Sequence, residues 1–283
     1  YHNRDHWDSA DVRIYASNRL RPNADQGGIT PASRPDPLVT DKFYSPGQVR
    51  MGAVWSRFGD AGNNLAADWS LTLAHELGHS MHSFFTRHTQ PFVYGDYTMF
   101  VAEVASTLNE AMLTDYLLTT RDDPALRKYL VVQQLEDIRT TIFRQTMFAE
   151  FELDIHQRAE ANEPLTADSL SKPYYDLVVR YHGPDVVLDD EIALEWSRIP
   201  HFYYNFYVYQ YATGLSAALA LNKQIRSEGQ PAVERYLGFL SSGSSKSSID
   251  LLRGAGVDMA SPAPIQAAMD TFDALLDELE ALS

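Results

Sequence analysis

Leu73-Ala-His-Glu-Leu-Gly-His-Ser80 places His75 and His79 four residues apart, with leucines at 71, 73 and 77 around them. On a helix, positions i and i+4 lie one above the other on the same face, so both imidazoles can reach one ion at roughly 2.0–2.1 Å. The pattern is His-Glu-x-x-His, the spacing used by zinc hydrolases. Glu76, one residue past the first histidine, projects beside such an ion rather than at it. A carboxylate there suits a general base that takes a proton from a metal-activated water and hands it to a leaving amine. The same spacing can also occur without metal on an amphipathic surface helix, but the flanks Ser70-Leu-Thr-Leu-Ala74 and Leu77 read as buried helix. Gly78 is costly inside a helix, by about 1 kcal/mol against alanine, which predicts close approach of another backbone or of substrate.

A catalytic zinc needs a third protein ligand and an open position. The candidate is Glu103, in the apolar helical run Phe100-Val-Ala-Glu-Val-Ala-Ser-Thr107, where an unpaired carboxylate would be expensive to bury. Glu110 lies seven residues further, two turns along the same face, and is read either as a partner for the second N–H of a ligating histidine or as a solvated acid. His82 continues the metal helix but points past the ion, towards a packing or surface role. Glu150 and Glu152, ahead of His156, lack metal-ligand spacing and read as surface charges.

Bulk properties narrow the partners. The chain has 283 residues, 45% of them hydrophobic, enough for one large core or two closely packed lobes. A net charge of −15 without a basic cluster argues against nucleic acid or an anionic membrane as partner. There are no cysteines, so a metal must be held by His, Asp or Glu. No signal peptide and no run of 18 apolar residues stand out, which predicts a soluble, cytoplasmic protein, and Tyr1 in place of Met fits a segment cut from something longer.

Along the chain, residues 1–40 are broken by Pro22, Gly27-Gly28, Pro31, Pro35 and Pro37 and predict an irregular arm. Met51-Gly-Ala-Val-Trp55 reads as a strand that could hold an extended peptide beside the metal helix. The metal helix covers about 68–87 and stops before Pro91, with a turn at Tyr94-Gly-Asp-Tyr97. Helices follow over 99–118 and 124–160, a turn-rich stretch over 165–190, a long helix over 191–227, and two shorter helices over 231–240 and 262–282 around a Ser/Gly loop, 241–246. Five tyrosines crowd Pro200-His-Phe-Tyr-Tyr-Asn-Phe-Tyr-Val-Tyr-Gln-Tyr-Ala-Thr-Gly214. With Pro200 opening a helix, His201, Tyr204, Tyr207 or Val208, and Tyr211 share one face. That face either supplies hydrogen-bond donors to an oxyanion or is simply core and rim with polar tips.

Taken together, His75-Glu-Leu-Gly-His-Ser-Met-His82, Gln90-Pro-Phe-Val-Tyr-Gly-Asp-Tyr97, Phe100-Val-Ala-Glu-Val-Ala-Ser-Thr-Leu-Asn-Glu110, Arg198-Ile-Pro-His-Phe-Tyr204, Tyr207-Val-Tyr-Gln-Tyr-Ala-Thr-Gly214 and Gly254-Ala-Gly-Val-Asp-Met259 resemble the oligoendopeptidase F family of thimet-oligopeptidase-like zinc peptidases. The resemblance runs from about residue 41 to 283. It implies a mostly α gluzincin-type catalytic domain over 41–283, with a small β element before the metal helix, one Zn2+ per chain, and cleavage of internal bonds in short oligopeptides. Carried over by position, His75, His79 and Glu103 are zinc ligands, Glu76 is the general base, and His201, Tyr204 and Tyr211 assist substrate and oxyanion. Val49-Arg-Met-Gly-Ala-Val-Trp-Ser56 is similar to the family's Lys/Arg-x-Gly-Ala-Tyr-Ser segment with one residue more between Ala and Ser. Residues 1–40 do not match, and the helical half that normally closes the substrate channel is missing from the sequence. The alternative reading is therefore a non-catalytic remnant that binds zinc and peptide without turnover.

Overall fold

The structure, a computed structural model, describes residues 63–282 continuously, with side chains from residue 71, and ahead of them only the backbone of four short strands. Within the arm expected to be irregular over 1–40, only the short strands Arg13–Ile14, Leu20–Pro22 and Ile29–Pro31 are described, and the expected strand at 51–55, but for Met51, lies outside the described residues. What is described is mostly helical. The helix that carries His75 and His79 is α1, Asn63–Thr89. It is followed by α2, Met99–Ala102, α3, Val104–Thr120, α4, Pro124–Ile138, and α5, Arg144–Glu160. Then come α6, Ala167–His182, α7, Tyr209–Glu228, α8, Gln230–Leu240, α9, Ser248–Gly254, and α10, Ala263–Ala281.

Three buried clusters hold these helices, and α7 or the residue leading into it belongs to all three. Val101, Val104, Ala105 and Leu108 of α2 and α3 pack on Ala217, Ala218 and Leu221 of α7 and on Tyr236, Phe239 and Leu240 of α8. Leu215, one turn earlier on α7, joins Val131, Leu135 and Ile138 of α4 and Ala268 and Leu275 of α10. Val208, just ahead of α7, packs with Phe148 and Phe151 of α5, Tyr174 and Val178 of α6, and Ile199. The small residues Gly214, Ser216, Ala217, Ala218 and Ala220 let neighbours approach α7 closely, and each fully buried Val or Leu around it contributes about 1.5–3 kcal/mol. Among the described residues, no helix is long and apolar enough to cross a membrane.

Four segments differ from the sequence expectation. The helix expected over 99–118 is interrupted at Glu103 itself, whose carbonyl accepts Ser106 Oγ at 2.9 Å, Thr107 Oγ1 at 2.6 Å and Thr107 N at 3.0 Å. Such back-bonding by Ser and Thr bends helices. Between α4 and α5 a π turn, Arg139–Phe143, adds a residue to the expected continuous run. The turn-rich stretch expected over 165–190 is instead largely the helix α6, opened by a capping box between Thr166 and Ser169 and carrying Pro173 in its interior. Pro173 has no N–H for the Ser169 carbonyl, and Arg158 Nη1 donates to that carbonyl from 3.3 Å instead. The fourth difference matters most for function. The single long helix expected over 191–227 is two 3-10 segments, Asp190–Arg198 and Pro200–Tyr203, then a bend, and α7 only from Tyr209. Extended backbone at Ile199 before Pro200 and a left-handed Phe206, φ 57°, break it.

Candidate active site

Helices α1 and α3 meet across Gly78. A Cβ built there would lie 2.5 Å from both the Ala105 carbonyl oxygen and the Ser106 Cα, so the backbone of α3 occupies the space a side chain would need. Asn109 adds a tie, donating from Nδ2 to the Ala74 carbonyl at 3.1 Å. This contact fixes the register in which Glu103 faces the two histidines.

The result is a triangle of heteroatoms. His75 Nε2 and His79 Nε2 are 3.1 Å apart, and Glu103 Oε2 stands 3.4 Å from the first and 3.3 Å from the second. Four ligands placed tetrahedrally at roughly 2.0–2.1 Å from an ion stand about 3.3–3.4 Å from one another. The three donors therefore fit one face of a zinc tetrahedron, and their chemistry, two imidazoles and a carboxylate, fits the same ion. Glu110 Oε1 lies 3.3 Å from His75 Nδ1, which fixes the ring so that Nε2 looks into the triangle.

The electrostatics of the cluster favour a positive charge at its centre. Burial disfavours a protonated His75, yet its hydrogen bonds to Glu103 and Glu110 outweigh that and raise it to about 9. Burial likewise opposes the Glu103 carboxylate, but the two imidazoles hold it well below the usual carboxylate range. Glu76 is half-buried on α1 next to His75, with its carbonyl accepting Ser80 Oγ at 2.8 Å. His82 is buried and stacks on Tyr97 with ring centroids 3.7 Å apart, and burial lowers it to about 3, which is packing, one of the two roles the sequence left open.

A cavity of about 660 Å³ opens beside the triangle, lined by His75, Glu103, Glu110 and Tyr211 together with Gln134 and Leu215. Tyr211 thus connects the aromatic stretch to the cluster. Its hydroxyl lies 3.3 Å from His201 Nε2 and donates to the Tyr207 hydroxyl at 3.4 Å. Burial, the Tyr207 hydroxyl and the Glu103 charge all push its phenol up, so it stays protonated and available as a donor. His201 and Tyr207 stack at 5.7 Å, and Tyr204 stands one ring further out, 66% exposed. His201 and Tyr211 are brought together by the bend rather than by a shared helix face, and Tyr204 lines neither the cavity nor the triangle. Tyr207, which the sequence offered only as an alternative to Val208, stacks on His201 and meets Tyr211 edge-on.

Glu150 and Glu152 fare differently from each other. Glu150 is exposed and pairs with Arg180 and Tyr181, in line with a surface charge. Glu152 is not a surface charge: it is 1% exposed and accepts the Phe206 N–H at 2.8 Å. Its spacing from Phe148, four residues, was the available signal, since it sets Glu152 on the buried face of α5.

A helical frame that converges two imidazoles and a carboxylate beside a peptide-sized cavity has the donor set of a metallohydrolase. The chain belongs to peptidase family M3, whose family model matches residues 65–271. Over 211 residues, 75% of this chain, it is 59% identical to the oligopeptidase PepF of Bacillus subtilis and 46% identical to an oligoendopeptidase F homolog of Lactococcus lactis. The chain spans about a third of the length of these curated relatives, 32% and 35%. The crystal structure of oligoendopeptidase-F from Enterococcus faecium superposes with a TM-score of 0.69 at 46% identity, over 78% of this chain and 41% of that one.

Proposed function

We propose that the chain is a zinc-dependent endopeptidase that hydrolyses internal bonds of short oligopeptides, with the catalytic unit spanning about 41–283 as a gluzincin-type domain. The observation that carries this is the triangle of His75, His79 and Glu103, whose edges match a zinc site. Bound by these three residues, zinc supplies Lewis-acid chemistry, bringing the pKa of water towards neutrality and polarising a peptide carbonyl. Glu76 takes the proton of the attacking water and returns it to the amine nitrogen as the peptide C–N bond breaks. Tyr211 and His201 donate hydrogen bonds to the carbonyl oxygen as it gains negative charge, an effect of about 3–4 kcal/mol for one well-placed donor. Glu110 keeps His75 in the tautomer that leaves Nε2 for the metal.

The test is Glu76→Gln. The variant should keep one zinc per chain and lose cleavage of a fluorogenic short peptide; a fully active variant ends this reading. The alternative reading is a zinc- and peptide-binding remnant without turnover. Purified wild-type chain that binds zinc and peptides, yet leaves a peptide mixture intact by mass spectrometry, selects the remnant.

A further inference from the structure

Phe206 adopts φ 57°, a backbone state that L residues other than Gly, Asn and Asp rarely take. Its neighbour Asn205 would tolerate that state more readily, so something outside the bend must hold it at the phenylalanine. The Phe206 N–H is bonded to Glu152 Oε1 at 2.8 Å, the Phe206 carbonyl accepts Gln210 Nε2 at 3.2 Å, and the Phe206 ring lies on His156, centroids 4.5 Å apart. Of these, the carboxylate is the anomaly. It is 1% exposed, on the face of α5 that carries Phe148 and Phe151 into the core, where an acid is disfavoured unless bonded. Burial pushes its carboxyl up, and the N–H it accepts works against that.

We propose that Glu152 is a positioning residue for the aromatic cluster: by accepting the Phe206 N–H it fixes the bend at 204–208 in the shape that sets His201 and Tyr207 against Tyr211. This rests on the proposed roles of His201 and Tyr211. The mechanical link is short. Tyr207 follows Phe206 directly, its ring stacks on His201 at 5.7 Å and meets Tyr211 edge-on at 5.3 Å, and Tyr211 lines the cavity beside Glu103. The far ends of the bend are pinned in the core by Ile199, Phe202 and Val208, so relaxation of Phe206 to negative φ turns the segment between them and moves Tyr207 first. Glu152 itself touches none of the proposed reacting groups, and acts through one peptide plane.

The test compares Glu152→Ala, which removes the acceptor, with Glu152→Gln, which keeps one, in the zinc-loaded full chain. A misplacement of about 1 Å can cost on the order of 10²-fold in rate. Glu152→Ala should lower kcat by about tenfold or more with KM within about twofold and zinc content unchanged, and Glu152→Gln should stay within about threefold of wild type. Adding Phe206→Gly to Glu152→Ala should recover a substantial part of the loss, because glycine takes positive φ without strain. A general loss of folding would not be repaired by that second change. Equal losses in Ala and Gln variants with no recovery from Phe206→Gly, or an Ala variant as active as wild type, overturn the proposal. Should the wild-type chain itself prove unable to cleave, the peptidase reading fails separately, and the His201 ring signals in histidine-labelled protein decide this one by NMR. A shift in Glu152→Ala that is absent in Glu152→Gln supports positioning, and unmoved signals overturn it.

Discussion

Gly78 sits against Ala105 so closely that a methyl group at position 78 would come within 2.5 Å of the Ala105 carbonyl oxygen. Because the obstacle is backbone, Gly78→Ala must push α1 and α3 apart, and overpacking of this kind typically costs about 1–3 kcal/mol, outweighing the gain in helix propensity. The same displacement widens the distance from Glu103 to both imidazoles. We expect a lower melting temperature and a weaker zinc affinity in a chelator-competition titration. A variant with wild-type values for both would show that the two helices do not set the cluster.

Glu103 and Glu110 approach His75 from opposite nitrogens, Nε2 at 3.4 Å and Nδ1 at 3.3 Å, and should separate in their effects. Glu103→Ala removes a donor from the triangle and should abolish stoichiometric zinc in the purified chain. Glu110→Ala leaves the triangle intact and should weaken zinc binding by about 10–100-fold, as loss of a ligand's supporting partner does. Inductively coupled plasma analysis together with chelator competition reads both. Equal zinc retention in the two variants would remove Glu103 from the ligand set.

The cluster and its frame were legible because they depend on short-range periodicity. His75 and His79 share a face by their spacing, Gly78 signals a close approach, and Glu103 is an acid in an apolar run. The bend at 204–208 was not legible, because helical spacing of His201, Tyr204, Val208 and Tyr211 is a local pattern, and what breaks it is distant. The Phe206 N–H finds its acceptor on Glu152, 54 residues earlier. Likewise α6 keeps its helix through Pro173 because Arg158, on another helix, satisfies the freed carbonyl. Tertiary partners override local preference in both cases, and a single sequence does not show them.

Tyr211 is the aromatic residue that reaches the cavity, and its phenol is pushed up by burial, Tyr207 and Glu103. If it stabilises developing charge, Tyr211→Phe should reduce kcat by about 10²-fold with little change in KM, the pattern of a donor used mainly in the transition state. Tyr207→Phe removes only the acceptor of the Tyr211 O–H and should cost less than about tenfold. Steady-state kinetics on one fluorogenic peptide separates them. A Tyr211→Phe effect confined to KM would assign the residue to substrate binding alone.

Glu195 anchors the segment ahead of His201, and its ionisation gives the stability a defined pH dependence. Its carboxylate, 5% exposed as a residue, accepts Arg144 Nη2 at 2.6 Å, Tyr174 Oη at 2.7 Å and Arg198 Nη2 at 2.5 Å. Burial opposes the charge, but the Tyr174 and Arg144 hydrogen bonds outweigh it, so the carboxyl is held below its ordinary value in the folded chain. Between that depressed value and the ordinary one of about 4.3, the unfolded chain binds more protons than the folded one. The stabilisation is therefore fully present above about pH 4.3 and drains away as the pH falls through the folded value. Glu195→Gln should lose about 2 kcal/mol at neutral pH, nearer a charge-assisted hydrogen bond than a sealed ion pair, since Arg198 is 70% exposed. Melting curves by circular dichroism from pH 7 to pH 3 should show the gap between wild type and variant narrowing on the acid side, and a gap that stays constant with pH would mean that the Glu195 charge contributes nothing.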